Sequence, residues 1–145
     1  MAWWFGGRWV PPAQTPPPSL PSLRIRPQVR DALLLNGLPV WLAYASYFFG
    51  GAFLANSVPH VVSGVTGRAF QSPFAKPPGK GLSSSTVNVL WGFFNVAVGY
   101  VLICRVGTFD LHDWEDVLAA ILGALVMSVL LARTFGQFHG GNSVR

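Results

Sequence analysis

The stretch Thr86–Cys104, TVNVLWGFFNVAVGYVLIC, carries no charge over nineteen residues. A helix needs about 20 predominantly apolar residues to cross a bilayer core, so the run has that length. Its polar and small residues are ordered. Asn88, Gly92, Asn95 and Gly99 fall at i, i+4, i+7 and i+11 and project from one face of a helix. Valine, leucine and aromatic residues dominate the other faces. In lipid, helices associate through close approach at small residues and through interhelical hydrogen bonds. The pattern therefore predicts a transmembrane helix, central to the fold, with its Asn/Gly stripe turned toward partner helices.

Composition agrees with a lipid-facing chain. Hydrophobic residues make up 51% of the 145 residues and charged residues 10%, against about 25% charged in a soluble domain. The net charge of +5 is spread between the hydrophobic runs, the pattern of flanking charges and not of a nucleic-acid surface. Cys104 is the single cysteine, so no intrachain disulfide forms and no Cys-based metal site can be assembled. Its position at the end of an apolar helix is expected to make it a small buried hydrophobe.

The N-terminal sequence MAWWFGGRWVPPAQTPPPSLPS has no apolar core of the kind a signal peptide needs. Its prolines favour extended backbone, so residues 1–30 are expected to be a disordered Pro-rich tail. Trp3, Trp4, Phe5 and Trp9, beside Arg8, suit the membrane surface. Residues 31–140 are expected to form the membrane helical domain, and 141–145 a short tail.

From Ala32 to Gly67 the chain carries no Asp, Glu, Lys or Arg. Asn36-Gly37 and Pro39 mark a helix start. The first span is predicted at about 38–58, with Pro59 bending or ending it and residues His60–Val65 able to continue it as a kinked turn. Ala43, Ser46, Gly50, Ser57 and Gly64 lie along one stripe, a packing partner for the Asn88–Gly99 face. The loop Thr66–Ser85 is rich in Gly, Pro and Ser. Ser84, Ser85 or Thr86 can cap the second span, about 86–104. Asp113 is the expected N-cap of the third, about 117–135, with Glu115 and Asp116 in its first turn. Ala120, Ala124, Ser128 and Ala132 recur every four residues, with Gly123 beside them, a second small-residue stripe. Basic residues nearly balance across the membrane. Those closest to the first helix favour an inside N-terminus.

The run Leu54-Ala55-Asn56-Ser57-Val58-Pro59-His60, then Gly64 and Gly67, Ser72-Pro73-Phe74, Gly79 through Ser84, and Asn88-Val89-Leu90-Trp91-Gly92 resembles a family of small uncharacterised bacterial integral membrane proteins, over roughly residues 50–105. The resemblance implies membrane residence, in the inner membrane for a bacterial protein. It carries no activity and no site residues.

The expected class is thus an all-α integral membrane protein with about three spans. The residues with the most to say are Asn56, His60, Asn88, Gly92, Asn95 and Gly99, a stripe for helix packing or for a polar function. Amides in apolar spans need partners inside the bundle. His60 and His139 are expected at one end of the bundle, where a pair of His can hold a metal. The favoured reading is a structural hydrogen bond for His60, and no metal or cofactor is assigned. His112 belongs to the opposite end. No span carries a mid-membrane Asp, Glu, Lys or Arg of the kind that marks ion routes. Hydrolase, zinc-protease and phosphate-loop motifs are absent from the sequence, so the expectation is a protein without enzymatic activity. Its partners would be the bilayer and either further copies of itself or another membrane protein. An accessory or structural role leads, and permeation of a small solute by an oligomer is the alternative.

Overall fold

In a computed structural model, the described residues are 39–143, preceded by residues 4–5 and 7–9. The proline cluster, Arg24, Arg26, Arg30 and the Asn36-Gly37 signal lie outside them, as do Val144 and Arg145 at the end of the predicted tail. Among the described residues three helices carry the fold: α1 (Val40–Val65), α2 (Ser85–Cys104) and α3 (Trp114–His139). Two short antiparallel hairpins accompany them. β1 (Trp4–Phe5) pairs with β2 (Arg8–Trp9), and β3 (Phe70–Gln71) pairs with β4 (Leu82–Ser83). The first hairpin falls within the expected tail, most of which lies outside the described residues. Gly7, at φ +76°, provides the turn.

The helix starts follow local chemistry. The Ser84 hydroxyl accepts from the Val87 backbone N–H at 3.4 Å, a weak capping bond. The Asp113 carboxylate accepts from the Glu115 N–H at 3.2 Å, and Glu115 and Asp116 occupy the first turn of α3. Three or four orphan N–H groups at a helix start favour such acceptors and negative charge. At the far end Gly140, at φ +77°, closes α3 in the left-handed conformation.

Two helices run beyond the predicted spans, α1 by the continuation that the sequence left open. Pro59 lies inside α1, which continues to Val65. A proline forfeits one ladder bond, but the flanking turns of α1 remain packed on α2 and hold the helix through it. The chain turns instead at Thr66 and Gly67, the latter at φ +73°. α3 extends beyond the predicted span at both ends, through Gly136 to His139.

The arrangement also reverses the expected hierarchy. α1, not Thr86–Cys104, is the central helix: it packs along both α2 and α3, which scarcely touch each other. Along α2 it runs antiparallel, with Ser57 and Val61 against Gly92 and with Gly50 and Leu54 against Gly99. Against α3 the backbones come closest where Gly51 meets Ala120 and Gly123 meets Phe48. A Cβ built on Gly123 would sit 2.6 Å from the Phe48 carbonyl carbon, and one on Gly51 2.8 Å from that of Ala120. The small-residue stripe of α3 makes its tight contact only at this end. Ser128 and Ala132 are exposed and line an open cleft of about 440 Å³ beside Pro59.

Polarity is distributed inside out. The buried apolar side chains among the described residues are Tyr47, Ala52 and Ala75, whereas Ser46, Ser57, His60, Gln71, Ser72, Asn88, Asn95 and Asp116 are buried. Leu118, Ile121, Leu125 and Val129 of α3, and Leu90, Phe93 and Phe94 of α2, are exposed; so is Cys104, expected to be buried, because it ends α2 on a face that neither α1 nor α3 covers. Among the described residues, α2 and α3 are each long and apolar enough to cross a membrane. α1 is as long, but Ser46, Asn56, Ser57, Pro59, His60 and Ser63 dilute its apolar character.

Candidate functional site

The four residues Asn88, Gly92, Asn95 and Gly99 are the buried residues of α2. The glycines bring α1 close, and the amides meet the two polar side chains that α1 places at their level. Asn56 and His60 are one helical turn apart and face the same way. The result is two separate polar contacts stacked along one interface.

In the first, Asn56 Nδ2 donates to Asn95 Oδ1 at 2.9 Å, and Asn95 Nδ2 donates to the Trp91 carbonyl at 2.7 Å. In the second, His60 Nδ1 lies 2.9 Å from Asn88 Oδ1. The Asn88 amide nitrogen faces three backbone carbonyls, those of Phe70, Ser83 and Ser84, at 3.2, 3.1 and 3.0 Å. Asn88 and Asn95 are completely buried, and His60 is 3% exposed. Amides so buried cost several kcal/mol when unpaired, about 4–8 on transfer to cyclohexane. The partners present here remove that cost. Every sealed side-chain polar atom among the described residues has a hydrogen-bond partner.

The β3–β4 hairpin lies over this end of the bundle. Phe70 supplies a carbonyl to Asn88 and sets its ring edge-on to His60, with centroids 5.6 Å apart. Trp91 and Phe135 also approach the imidazole edge-on, each at 6.4 Å. The hairpin is held shut by the Ser72 and Ser83 hydroxyls, 2.6 Å apart, and Ser72 also accepts from the Phe74 N–H. Next to His60 an open cleft of about 320 Å³ runs between α1, the hairpin and the end of α3, reaching Asn56, Gln71, Trp91 and Thr134.

His139 does come to the same end as His60, but the two do not converge on a common point. The Phe70 ring stacks on His139, with planes 1° apart, while presenting its edge to His60. His139 Nε2 bonds Gln71 Oε1 at 3.2 Å. Among the described residues no group of three His, Cys, Asp or Glu is arranged to hold a metal ion. His112 lies at the opposite end, exposed, 3.1 Å from Asp110.

That opposite end has its own polar contacts. The Tyr44 hydroxyl donates to Glu115 Oε2 at 2.7 Å, and the buried Asp116 carboxylate accepts from the Asp110 backbone N–H at 3.0 Å. Tyr47 packs edge-on to Phe109.

Gln71, Ser72, Phe70 and Phe135 were not singled out by sequence reasoning. Gln71 and Ser72 sit in a loop of turn-forming residues, where nothing in the pattern separates a buried amide from a solvated one. Phe135 differs from the other aromatic residues only in its register on α3.

No protein-family model matches the chain, and neither the curated proteins nor the solved structures contain a significant match to it.

Proposed function

We propose that the chain is a three-span integral membrane protein, with α1 as the third span, and that its role is structural: an accessory or self-associating membrane subunit. The observation that carries this reading is the inside-out polarity. In water, an exterior of leucine, isoleucine, valine and phenylalanine on α2 and α3 would be a large sticky surface. In a bilayer the lipid tails cover it. The polar groups of α1 then need to be internal, as they are, because hydrocarbon offers them no partner. A core helix of a soluble protein would have its apolar faces covered. Of α3, only Asp116 and Gly123 are buried. The resemblance over residues 50–105 agrees with membrane residence and adds no activity.

The unspent surface of α3 supports an interaction role. Beyond Gly123 its small residues are not occupied by α1, which leaves them open to another helix. Permeation by an oligomer has less support, because Asn88 and Asn95 are closed against partners within the chain and line no open path.

Two experiments test the reading. Cysteine-accessibility scanning in a Cys104→Ala background should label cysteines at Lys80 and Ser143 from one side of the membrane and at Leu111 from the other. Labelling of all three from one side would refute the three-span topology. Crosslinking in native membranes with mass spectrometry should return a defined membrane protein or a second copy. Recovery of lipid adducts alone, together with solute flux in liposomes holding only this chain, would replace the structural role with the permeation reading.

A further inference from the structure

The polar contacts beside the cleft have a direction. Carbonyl oxygens only accept, so the three carbonyls around Asn88 fix its nitrogen toward them and its oxygen toward His60. An amide oxygen also only accepts, so His60 Nδ1 carries the hydrogen of that 2.9 Å bond. In the neutral ring, Nε2 is then a bare lone pair. The second contact runs the same way. The Trp91 carbonyl fixes the Asn95 nitrogen, the Asn95 oxygen accepts from Asn56 Nδ2, and Asn56 Oδ1 is left over. Each relay starts at a backbone carbonyl and ends at an acceptor.

Neither terminal acceptor meets a donor among the described residues. Neither is sealed, since no sealed polar side-chain atom lacks a partner. Both residues line the 320 Å³ cleft. They are four apart on α1, which places their Cβ atoms about 5–6 Å from each other. His60, 3% exposed, thus keeps its remaining accessibility on the cleft side. Trp91 and Phe135 wall the cleft with aromatic surface, and Thr134 adds a hydroxyl at its rim.

We propose that this cleft binds a hydroxyl-bearing head group carried on an apolar body, with His60 Nε2 and Asn56 Oδ1 accepting its hydrogen bonds. Two neighbouring acceptors select a donor. The described carboxylates, on Asp110, Asp113, Glu115 and Asp116, are at the other end of the bundle, while Arg68, Lys76, Lys80 and Arg133 belong to this end. That balance disfavours an ammonium donor and favours a neutral hydroxyl. The aromatic walls suit an apolar body, and the cleft falls at the small end of the roughly 300–1,000 Å³ range of ligand pockets. Glycerol lipids and aromatic diols share this chemistry. The proposal goes beyond the structural role and does not depend on a protein partner.

The test uses the full chain, with ¹⁵N-labelled histidine, in phosphatidylcholine nanodiscs, which bring no hydroxyl donors of their own. The spectrum is recorded near pH 8, above the ordinary His value of about 6.5. His112→Gln and His139→Gln variants assign the resonances. His60 is expected to show a protonated Nδ1 and a bare Nε2. Titration with dioctanoylglycerol or with decylhydroquinone should then move the Nε2 resonance saturably. Asn56→Ala should weaken binding about three- to tenfold, the equivalent of one hydrogen bond, with an unchanged His139 signal reporting an intact fold. A response to dioctanoylglycerol alone identifies a lipid head, and a response to the hydroquinone alone identifies a ring diol. A protonated Nε2 in the neutral ring would overturn the proposal, as would silence toward both probes or unchanged affinity in Asn56→Ala.

Discussion

His60 Nδ1 and Asn88 Oδ1 lie 2.9 Å apart, joining α1 to α2. The same Asn88 amide ties the start of α2 to the Phe70 carbonyl of β3. One side chain therefore fastens two helices and a hairpin. From the sequence, Asn88→Ala is expected to cost only a modest hydrogen bond. The geometry raises that expectation, because the Phe70 and Ser83 carbonyls and an imidazole N–H lose this contact together, while the Ser84 carbonyl keeps the Asn88 backbone N–H at 3.1 Å. Asn88→Ala should destabilise the fold by about 1–3 kcal/mol, the cost of buried groups left unsatisfied. His60→Ala should cost less, since Asn88 retains its carbonyls. Unfolding titrations in mixed micelles read both. Equal losses would show that the carbonyl contacts contribute nothing.

The Asn56–Asn95 contact is a simple pair and permits a double-mutant cycle. Asn56→Ala, Asn95→Ala and the double variant should give a coupling of about 0.6 kcal/mol, the average for interhelical hydrogen bonds in a membrane protein. A coupling indistinguishable from zero would mean that the pair sets register without adding stability.

Gly51 and Gly123 mark the closest approach of α1 and α3. At both, the opposing atoms are backbone, which cannot rotate away as a side chain can. Gly123→Ala should therefore lower stability by about 1–3 kcal/mol, the usual range for overpacking. Gly92→Leu should do the same on the α2 side, where Val61 and Ser57 stand opposite. Ala97→Leu, on the exposed face of α2, is the control and should melt like the parent. A parental melting temperature for Gly123→Ala would disprove the close crossing.

At the other end, Asp113→Ala should cost about 1 kcal/mol by removing the cap of α3. Tyr44→Phe should cost less than about 1 kcal/mol, since its bond to Glu115 is exposed to solvent. Thermal melts of the two variants in detergent check the ranking, and the reverse order would assign the main anchor of α3 to Tyr44.

Much of this was legible in the residues, and the limits have physical causes. The Asn88–Gly99 face could be read because a 3.6-residue period is a local property, visible without knowing the partner. The Asp113 and Ser84 caps were legible for the same reason: cap and helix start are adjacent in sequence. Pro59 left the end of α1 open between a stop and a continuation to Val65, because its missing donor is a local cost, while the packing that carries α1 through it comes from residues on another helix. The centrality of α1 was hidden by its own composition. The polar side chains that make it the hub also reduce its apolar signal, so the purer α2 stood out instead. Gln71 and the Phe70 carbonyl could not be found in advance, because a backbone acceptor has no signature in the sequence and a loop amide looks alike wet or dry.

The near absence of contact between α2 and α3 has a thermodynamic consequence. Each reads a different face of α1, with Gly50, Ser57 and Gly64 on one side and Phe48 and Gly51 on the other. Substitutions that are well separated and share no neighbour have free energies that add to within about 0.3–0.5 kcal/mol. Phe70 breaks that independence at one end only: it supplies a carbonyl to Asn88 and packs on His60, and it also packs on Phe135 and His139 of α3. The α1–α2 pair and the α1–α3 pair are thus two energetic units on one helix, coupled through the hairpin. Loosening α3 at its His139 end reaches the buried amides through Phe70, whereas loosening it at the Gly123 crossing has no such route.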